Sequence, residues 1–278
     1  MLIALCSLKG SPGTTTSALA LAARWPAPQI PVVVECDPAG GDLAARFRLP
    51  STPGLVSLAA AARKISDASV LWQHVQRLPA GLAVVPGPIG AEQARAALGI
   101  VASGRASVLR AAGDQPGVVL LADCGRVEPG SPVLPIIRAA DAMVLLAHAR
   151  DDDLSHVAGK LRTVATWNPR PAFVLVGDGY TTAEVERELH IAVMARLPHD
   201  PKGAAVLCGY RRGGPGPDRS ALGRAARRLV HGITTAQRPA AAPSARTRPA
   251  EPVPTSWNLA NATPFSPARS ASPNGKRP

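Results

Sequence analysis

Aromatic side chains are scarce in this 278-residue chain, at 3% of the sequence. That scarcity argues against a carbohydrate platform or an aromatic cage for a quaternary amine. It also means that any core is filled by small aliphatic side chains packed at close spacing. Cysteine is equally sparse: Cys6, Cys36, Cys124 and Cys208 stand far apart with no metal-ligand spacing, which excludes a zinc cluster of the usual pattern and a disulfide framework. Three of the four lie inside or beside apolar runs, where a reduced cysteine serves as a small hydrophobe. No uncharged apolar run is long enough for a membrane-spanning helix. The apolar start, Met1 to Leu8, is too short for a signal peptide and has no basic leader before it, so a cytoplasmic protein is predicted.

Acidic residues become rare toward the C-terminus. Residues 1–209 carry 19 basic and 17 acidic side chains, whereas 210–278 carry 12 and 2, so most of the +12 net charge belongs to the last quarter. An anionic partner there, either DNA or an anionic membrane surface, is compatible with this charge; so is plain solubility. From Thr234 onward nine prolines fall within 45 residues, among many alanines and serines. Such a segment has little with which to build a core, and a disordered basic tail over 234–278 is predicted behind a folded domain at 1–233. Trp257, Leu259 and Phe265 are the tail's large apolar side chains, and a chance cluster and a short docking motif both fit them.

What the first 233 residues do contain is alternation. Apolar runs at Leu2–Cys6, Pro31–Glu35, Leu82–Val85, Val118–Ala122, Ala142–Leu146, Ala172–Val176 and Val193–Ala195 read as strands. Between and after them, alanine-rich stretches at Thr15–Arg24, Leu55–Ala62, Glu92–Val101, Pro132–Ala139, Asp152–Trp167, Thr182–Glu188 and Asp218–Ile233 read as helices. Most of the strands are apolar on both faces, the mark of a parallel sheet covered on both sides. The predicted class is therefore α/β, a mainly parallel sheet of seven or eight strands with helices on both faces. Right-handed crossovers place the loops after the strands along one edge, where ligands bind in open sheets. The acidic run Asp151–Asp153 is explained by a helix N-terminus, where carboxylates meet unpaired amides.

The first such loop is Lys9-Gly10-Ser11-Pro12-Gly13-Thr14-Thr15-Thr16. It follows an apolar strand and opens a helix of small residues, a geometry that points backbone N–H groups at a phosphate. Glycines at 10 and 13 allow that close wrapping, and hydroxyls at 15 and 16 can reach Mg²⁺ and a phosphate oxygen. An ordinary strand-to-helix loop, with threonines that only cap the helix, fits the same residues. Glu35 and Asp37 end the second strand, and Asp123 follows the apolar run at 118–122. Three carboxylates at strand ends beside a phosphate loop suit Mg²⁺ binding and the orientation of an attacking water.

In their order and spacing these stretches resemble the ParA/MinD-like ATPases, the deviant P-loop group that positions DNA, division and secretion machinery in bacteria. The resemblance covers about Met1 to Ile233. It rests on the 9–16 loop, Glu35-Cys36-Asp37-Pro38-Ala39-Gly40, the apolar run ending at Asp123, and the late segment MARLPHDPKGAAVLCG. It implies a P-loop fold that binds ATP and Mg²⁺ through residues 9–16. Lys9 falls on the signature lysine that reaches across an ATP-bound homodimer, and Thr15 on the magnesium-ligating hydroxyl. Asp37 falls on the acid linked to the attacking water, and Asp123 on the Walker B aspartate. Glu35 joins Asp37, Asp123 and Thr15 as a candidate metal ligand, Lys9 and Asp37 are the candidate catalytic residues, and Asp178 stands where the family reads adenine. One departure is decisive for chemistry: Thr14 occupies the position of the P-loop lysine. The expectation is an ATP-binding, dimerising protein that positions or regulates a protein partner, with weak or absent hydrolysis, recruited to the nucleoid or the inner membrane face. A nucleotide-free scaffold, and a slow ATPase that uses Lys9, are the alternatives.

Overall fold

The computed structural model describes residues 1–64, 67–102, 107–211 and 216–237. One eight-stranded sheet organises them. Its strands are β1 (Leu2–Ser7), β2 (Ile30–Glu35), β3 (Gln76–Arg77), β4 (Ala83–Val85), β5 (Val118–Arg126), β6 (Ala142–His148), β7 (Pro171–Val176) and β8 (Val193–Leu197). They are ordered β3-β4-β2-β5-β1-β6-β7-β8. Every neighbouring pair is parallel except β3 with β4. The centre of the sheet is dry: all six residues of β1 are buried, as are the first eight of β5. A strand enclosed on both faces needs apolar side chains in both directions, so these runs do not alternate.

Helices α1 (Thr14–Arg24), α2 (Leu43–Phe47), α3 (Leu55–Ala62), α4 (Ala91–Val101) and α5 (Val108–Gly113) come from the first half of the chain, with a 3₁₀ turn at Ala68–His74. The second half adds α6 (Leu134–Ala139), α7 (Asp151–Ala165), α8 (Thr182–Leu189), α9 (Pro201–Leu207) and α10 (Ala221–Gln237). One face of the sheet packs Ala4, Val34, Leu120 and Phe173 against α3 through α8. The other packs Ile3, Leu5, Val33 and Leu121 against Leu19 and Leu21 of α1 and Leu222, Leu229 and Ile233 of α10. The arginines of α10, Arg224, Arg227 and Arg228, are exposed beside that stripe.

Three differences from the sequence reading have physical causes. Strand β3 is two polar residues long and carries no apolar run to announce it. Helices α2, α5 and α9 are five to seven residues long, too short for a helical period to show. Helix α10 passes Ile233 and continues to Gln237. Its last turn is held by the Thr234 hydroxyl donating to Val230 O at 2.9 Å and the Gln237 amide donating to Asp141 O at 2.8 Å. The predicted tail therefore begins as helix at 234–237. The rest of it, with Trp257, Leu259 and Phe265, lies outside the described residues.

Candidate nucleotide site

Strand β1 delivers the chain to the carboxyl edge of the sheet, where residues 8–13 turn into α1. The turn depends on Gly13, which caps α1 at φ 84°, ψ 47°, a left-handed conformation that costs glycine little. No side chain caps the helix and its first turn holds no acid. The threonines thus do something other than cap. Thr14 is buried, and the hydroxyls of Thr15 and Thr14 lie near enough to the Asp123 carboxylate to favour its charged form. Thr16 Oγ1 lies 3.3 Å from Cys208 Sγ, tying the loop to the segment behind α9. What remains unpartnered by any side chain is the set of first-turn N–H groups, the partly positive end of an 11-residue helix.

Strands β2 and β5 bring the acids alongside, because Glu35 pairs in register with Asp123 and β5 also pairs with β1. Asp37 folds back to accept the Ala39 N–H at 2.8 Å, with its carboxylate lying directly over Gly125. Gly125 sits at φ 58°, and any β-carbon there would overlap that carboxylate. A cleft of about 800 Å³ opens between these parts. It is lined by Gly10, Ser11, Gly13 and Thr14–Thr16 of the first loop, by Asp37–Ala39 and Gly125, and by Arg46, Arg95, Arg126 and the Glu128–Pro132 loop.

Of the residues expected in the site, the loop residues 10, 11 and 13–16 line this cleft together with Asp37. Asp123 lies beneath it, fully buried against Thr15. Pro12 is buried, and Lys9 is exposed and is not among the residues that line the cleft. Gly10, next to Lys9, abuts Asp153 of α7, whose buried Oδ1 has no hydrogen-bond partner among the described residues.

Glu35 occupies a different position from the expected one. Its carboxylate is buried away from the cleft and accepts three backbone N–H groups, from Asp42 at 2.8 Å, Leu43 at 3.0 Å and Gly87 at 2.9 Å. It ties the loop after β2 to the loop after β4, and its geometry is that of a structural clamp rather than a cation ligand. Asp178 is exposed in the turn after β7 and does not line the cleft. That turn is fixed instead by the Arg196 guanidinium, which donates to Gly177 O at 2.7 Å and to Tyr180 O.

Three arginines in the lining went unnoticed in the sequence. Arg126 was legible, since it directly follows Asp123-Cys124-Gly125. Arg46 and Arg95 sit on α2 and α4, and only the β4-β2-β5 order brings them to this edge.

The carboxylates are under electrostatic load. Desolvation, with Asp37 adding to it, raises Asp123 to about 6 against the pull of the Thr15 and Thr14 hydroxyls. Burial raises Glu35 to about 7 against its three backbone donors, and raises Asp37 as well. A cation between Asp37 and Asp123 would relieve that load. Among the described residues no three His, Cys, Asp or Glu side chains converge to hold a metal alone. Two carboxylates and the Thr15 hydroxyl are all hard oxygen donors, and they fit Mg²⁺, which commonly completes its shell with water and phosphate.

The load has a consequence for pH. A carboxyl with a folded pKa above its unfolded value favours the folded state as pH falls through the folded pKa, and that gain is lost as pH rises again. For Glu35 the window runs from about 7 down to 4.5, and for Asp123 from about 6 down to 3.8. His74, held below 6.5 by burial, opposes them at the acid end. The ligand-free protein should therefore be more stable at pH 5.5 than at pH 8, by about 2 kcal/mol. Urea midpoints at the two pH values measure this, and a midpoint that rises toward pH 8 would contradict it.

No protein-family model matches the sequence, and no curated protein matches it. Its fold, however, is that of known ATPase structures. The septum site-determining protein MinD of Pyrococcus horikoshii, complexed with Mg-ADP, is 15% identical with a TM-score of 0.63, over 84% of this chain and 95% of that one. A ParA family ATPase from Chlorobium tepidum is 17% identical with a TM-score of 0.62, over 84% and 97%. Cobyrinic acid a,c-diamide synthase from Mycobacterium smegmatis, with a bound ATP analogue and magnesium, is 19% identical with a TM-score of 0.58, over 83% and 92%. The chain thus has the fold of these MinD, ParA family and synthase structures.

Proposed function

We propose that this chain is a divergent ParA/MinD-like protein that binds ATP with Mg²⁺ in the cleft at residues 10–16, dimerises around it, and positions or regulates a protein partner with little or no hydrolysis. The observation that carries this reading is the convergence, at one cleft, of an uncapped helix N-terminus and Asp37, with Asp123 buried beside Thr15. The amides of 13–16 would hold phosphate. Thr15, Asp37 and Asp123 would hold Mg²⁺, which supplies charge neutralisation at the phosphates. Weak turnover follows from Thr14. A hydroxyl can hydrogen-bond a phosphate oxygen but cannot offset the charge that develops on a transferring phosphoryl group.

Lys9 is exposed and does not line its own cleft, and the family resemblance assigns it a phosphate contact across an interface with a second copy. Sedimentation with and without MgATP tests this. The parent chain should dimerise with ATP and Lys9→Ala should remain monomeric while still binding it. Equal dimerisation by the two would remove Lys9 from the interface and with it the slow-ATPase alternative. The nucleotide-free scaffold is favoured by one observation, the absence of a P-loop lysine, and opposed by the load on Asp37 and Asp123. No helix among the described residues is long and apolar enough to cross a membrane. The cytoplasmic setting, recruitment to nucleoid or inner membrane face, and contact with DNA or anionic lipid through the basic C-terminal quarter belong to the same proposal.

A further inference from the structure

The cleft lacks a lysine but it does not lack positive charge. Its lining holds three arginines, Arg46, Arg95 and Arg126, set against three acids, Asp37, Asp42 and Glu128. The arginines differ in what already holds them. Arg46 is engaged twice, by Asp42 at 2.5 Å and by the ring of Tyr210 at 5.4 Å. Among the described residues Arg126 forms one ion pair, with Glu128 at 3.3 Å and both side chains 59% exposed, and it also draws on the Asp37 carboxylate. Such a surface pair contributes little and gives way to a stronger anion. Arg95, on α4, makes no ion pair among the described residues.

Position separates them further. Arg126 directly follows Gly125, on which the Asp37 carboxylate rests, and stands three residues after Asp123. It is thus beside the carboxylates that suit a cation, and pairs in register with Ser7, where the loop leaves β1. Arg95 approaches from the side of β4, the neighbour of β2. Without these two, the lining would carry two more acids than bases and would repel a polyphosphate.

We infer that Arg126 and Arg95 take over the work of the missing lysine at position 14, donating to the terminal phosphates of the nucleotide. The inference rests on the proposed nucleotide reading and assigns its cations. Guanidinium suits the task, since its planar fork gives paired hydrogen bonds to phosphate oxygens and keeps its charge when desolvated.

The test is titration calorimetry of the full chain with MgATP and MgADP, on Arg95→Ala, Arg126→Ala, their double variant and Arg162→Ala, an arginine on α7 outside the cleft. Each cleft substitution should weaken ATP binding about ten- to a hundredfold and ADP binding less, with unfolding midpoints unchanged. Arg162→Ala should bind as the parent does. Adding Thr14→Lys to Arg126→Ala should restore ATP affinity, a rescue that a merely structural arginine would not allow. If the parent binds ATP and the cleft variants bind it equally well, or lose ATP and ADP alike, the arginine assignment fails while the nucleotide reading stands. If the parent binds no nucleotide, both fail together.

Discussion

Replacing Glu35 by alanine should destabilise the ligand-free protein by about 3–5 kcal/mol, because two buried backbone donors and one part-buried donor lose their acceptor at once. The Asp42, Leu43 and Gly87 N–H groups all point at this one carboxylate, at 2.8–3.0 Å. An unsatisfied buried donor costs about 1–3 kcal/mol, and relief of a carboxyl whose pKa is already pushed up to about 7 offsets part of the sum. Glutamine should cost less, since its carbonyl can keep the Asp42 and Leu43 donors while its NH₂ faces Gly87 unproductively. Chemical denaturation without nucleotide measures both, and a loss of that size is a large part of a typical domain's stability. An unchanged unfolding midpoint in Glu35→Ala, with Mg²⁺-dependent binding abolished, would mean that Glu35 is a cation ligand after all.

Thr14→Lys should tighten MgATP binding by about ten- to a hundredfold, the value of one or two charge-assisted hydrogen bonds of about 1.5–3 kcal/mol. Position 14 lines the cleft at the first residue of α1, and its present hydroxyl faces Asp123. A lysine there would pair with Asp123 before nucleotide arrives, returning that carboxyl toward its ordinary range. Once nucleotide is bound, its ammonium has the reach and charge for the β- and γ-phosphates. Turnover, if the parent has any, should rise with it. Calorimetry on the folded variant decides the matter. An affinity no different from the parent's would mean that the first turn of α1 does not face the phosphates.

The sheet was readable in the sequence wherever burial left one solution. A strand such as Val118–Ala122 is covered on both faces, so its apolar run has few other readings, and the helix at Leu55–Ala62 begins and ends as its composition indicates. What escaped was short or polar, Gln76–Arg77 above all. In the site, Asp37 and Asp123 could be paired from the order of strand ends alone. The role of Glu35 could not, because one of its three donors, Gly87, lies 52 residues further on in a loop after another strand. Arg95 has the same history: nothing around Ala91–Val101 marks a ligand, and only the placing of β4 beside β2 carries it to the cleft. Asp178 was legible as a turn residue, the second reading that its glycine neighbours allow. The resemblance suggested a base-reading group, while the turn that holds it is built by Arg196 and leaves the carboxylate in solvent.

The central claim is that the cleft at residues 10–16 holds a magnesium nucleotide despite the threonine at 14. Titration of the full chain with ATP, with and without Mg²⁺, tests it most directly. The expected result is one saturable site per chain, strengthened by Mg²⁺, competed by ADP, and weakened without unfolding by Asp37→Ala or Asp123→Ala. No detectable binding of ATP or ADP by the folded parent, and none by folded Thr14→Lys, would contradict it and leave a scaffold that keeps the fold without the ligand.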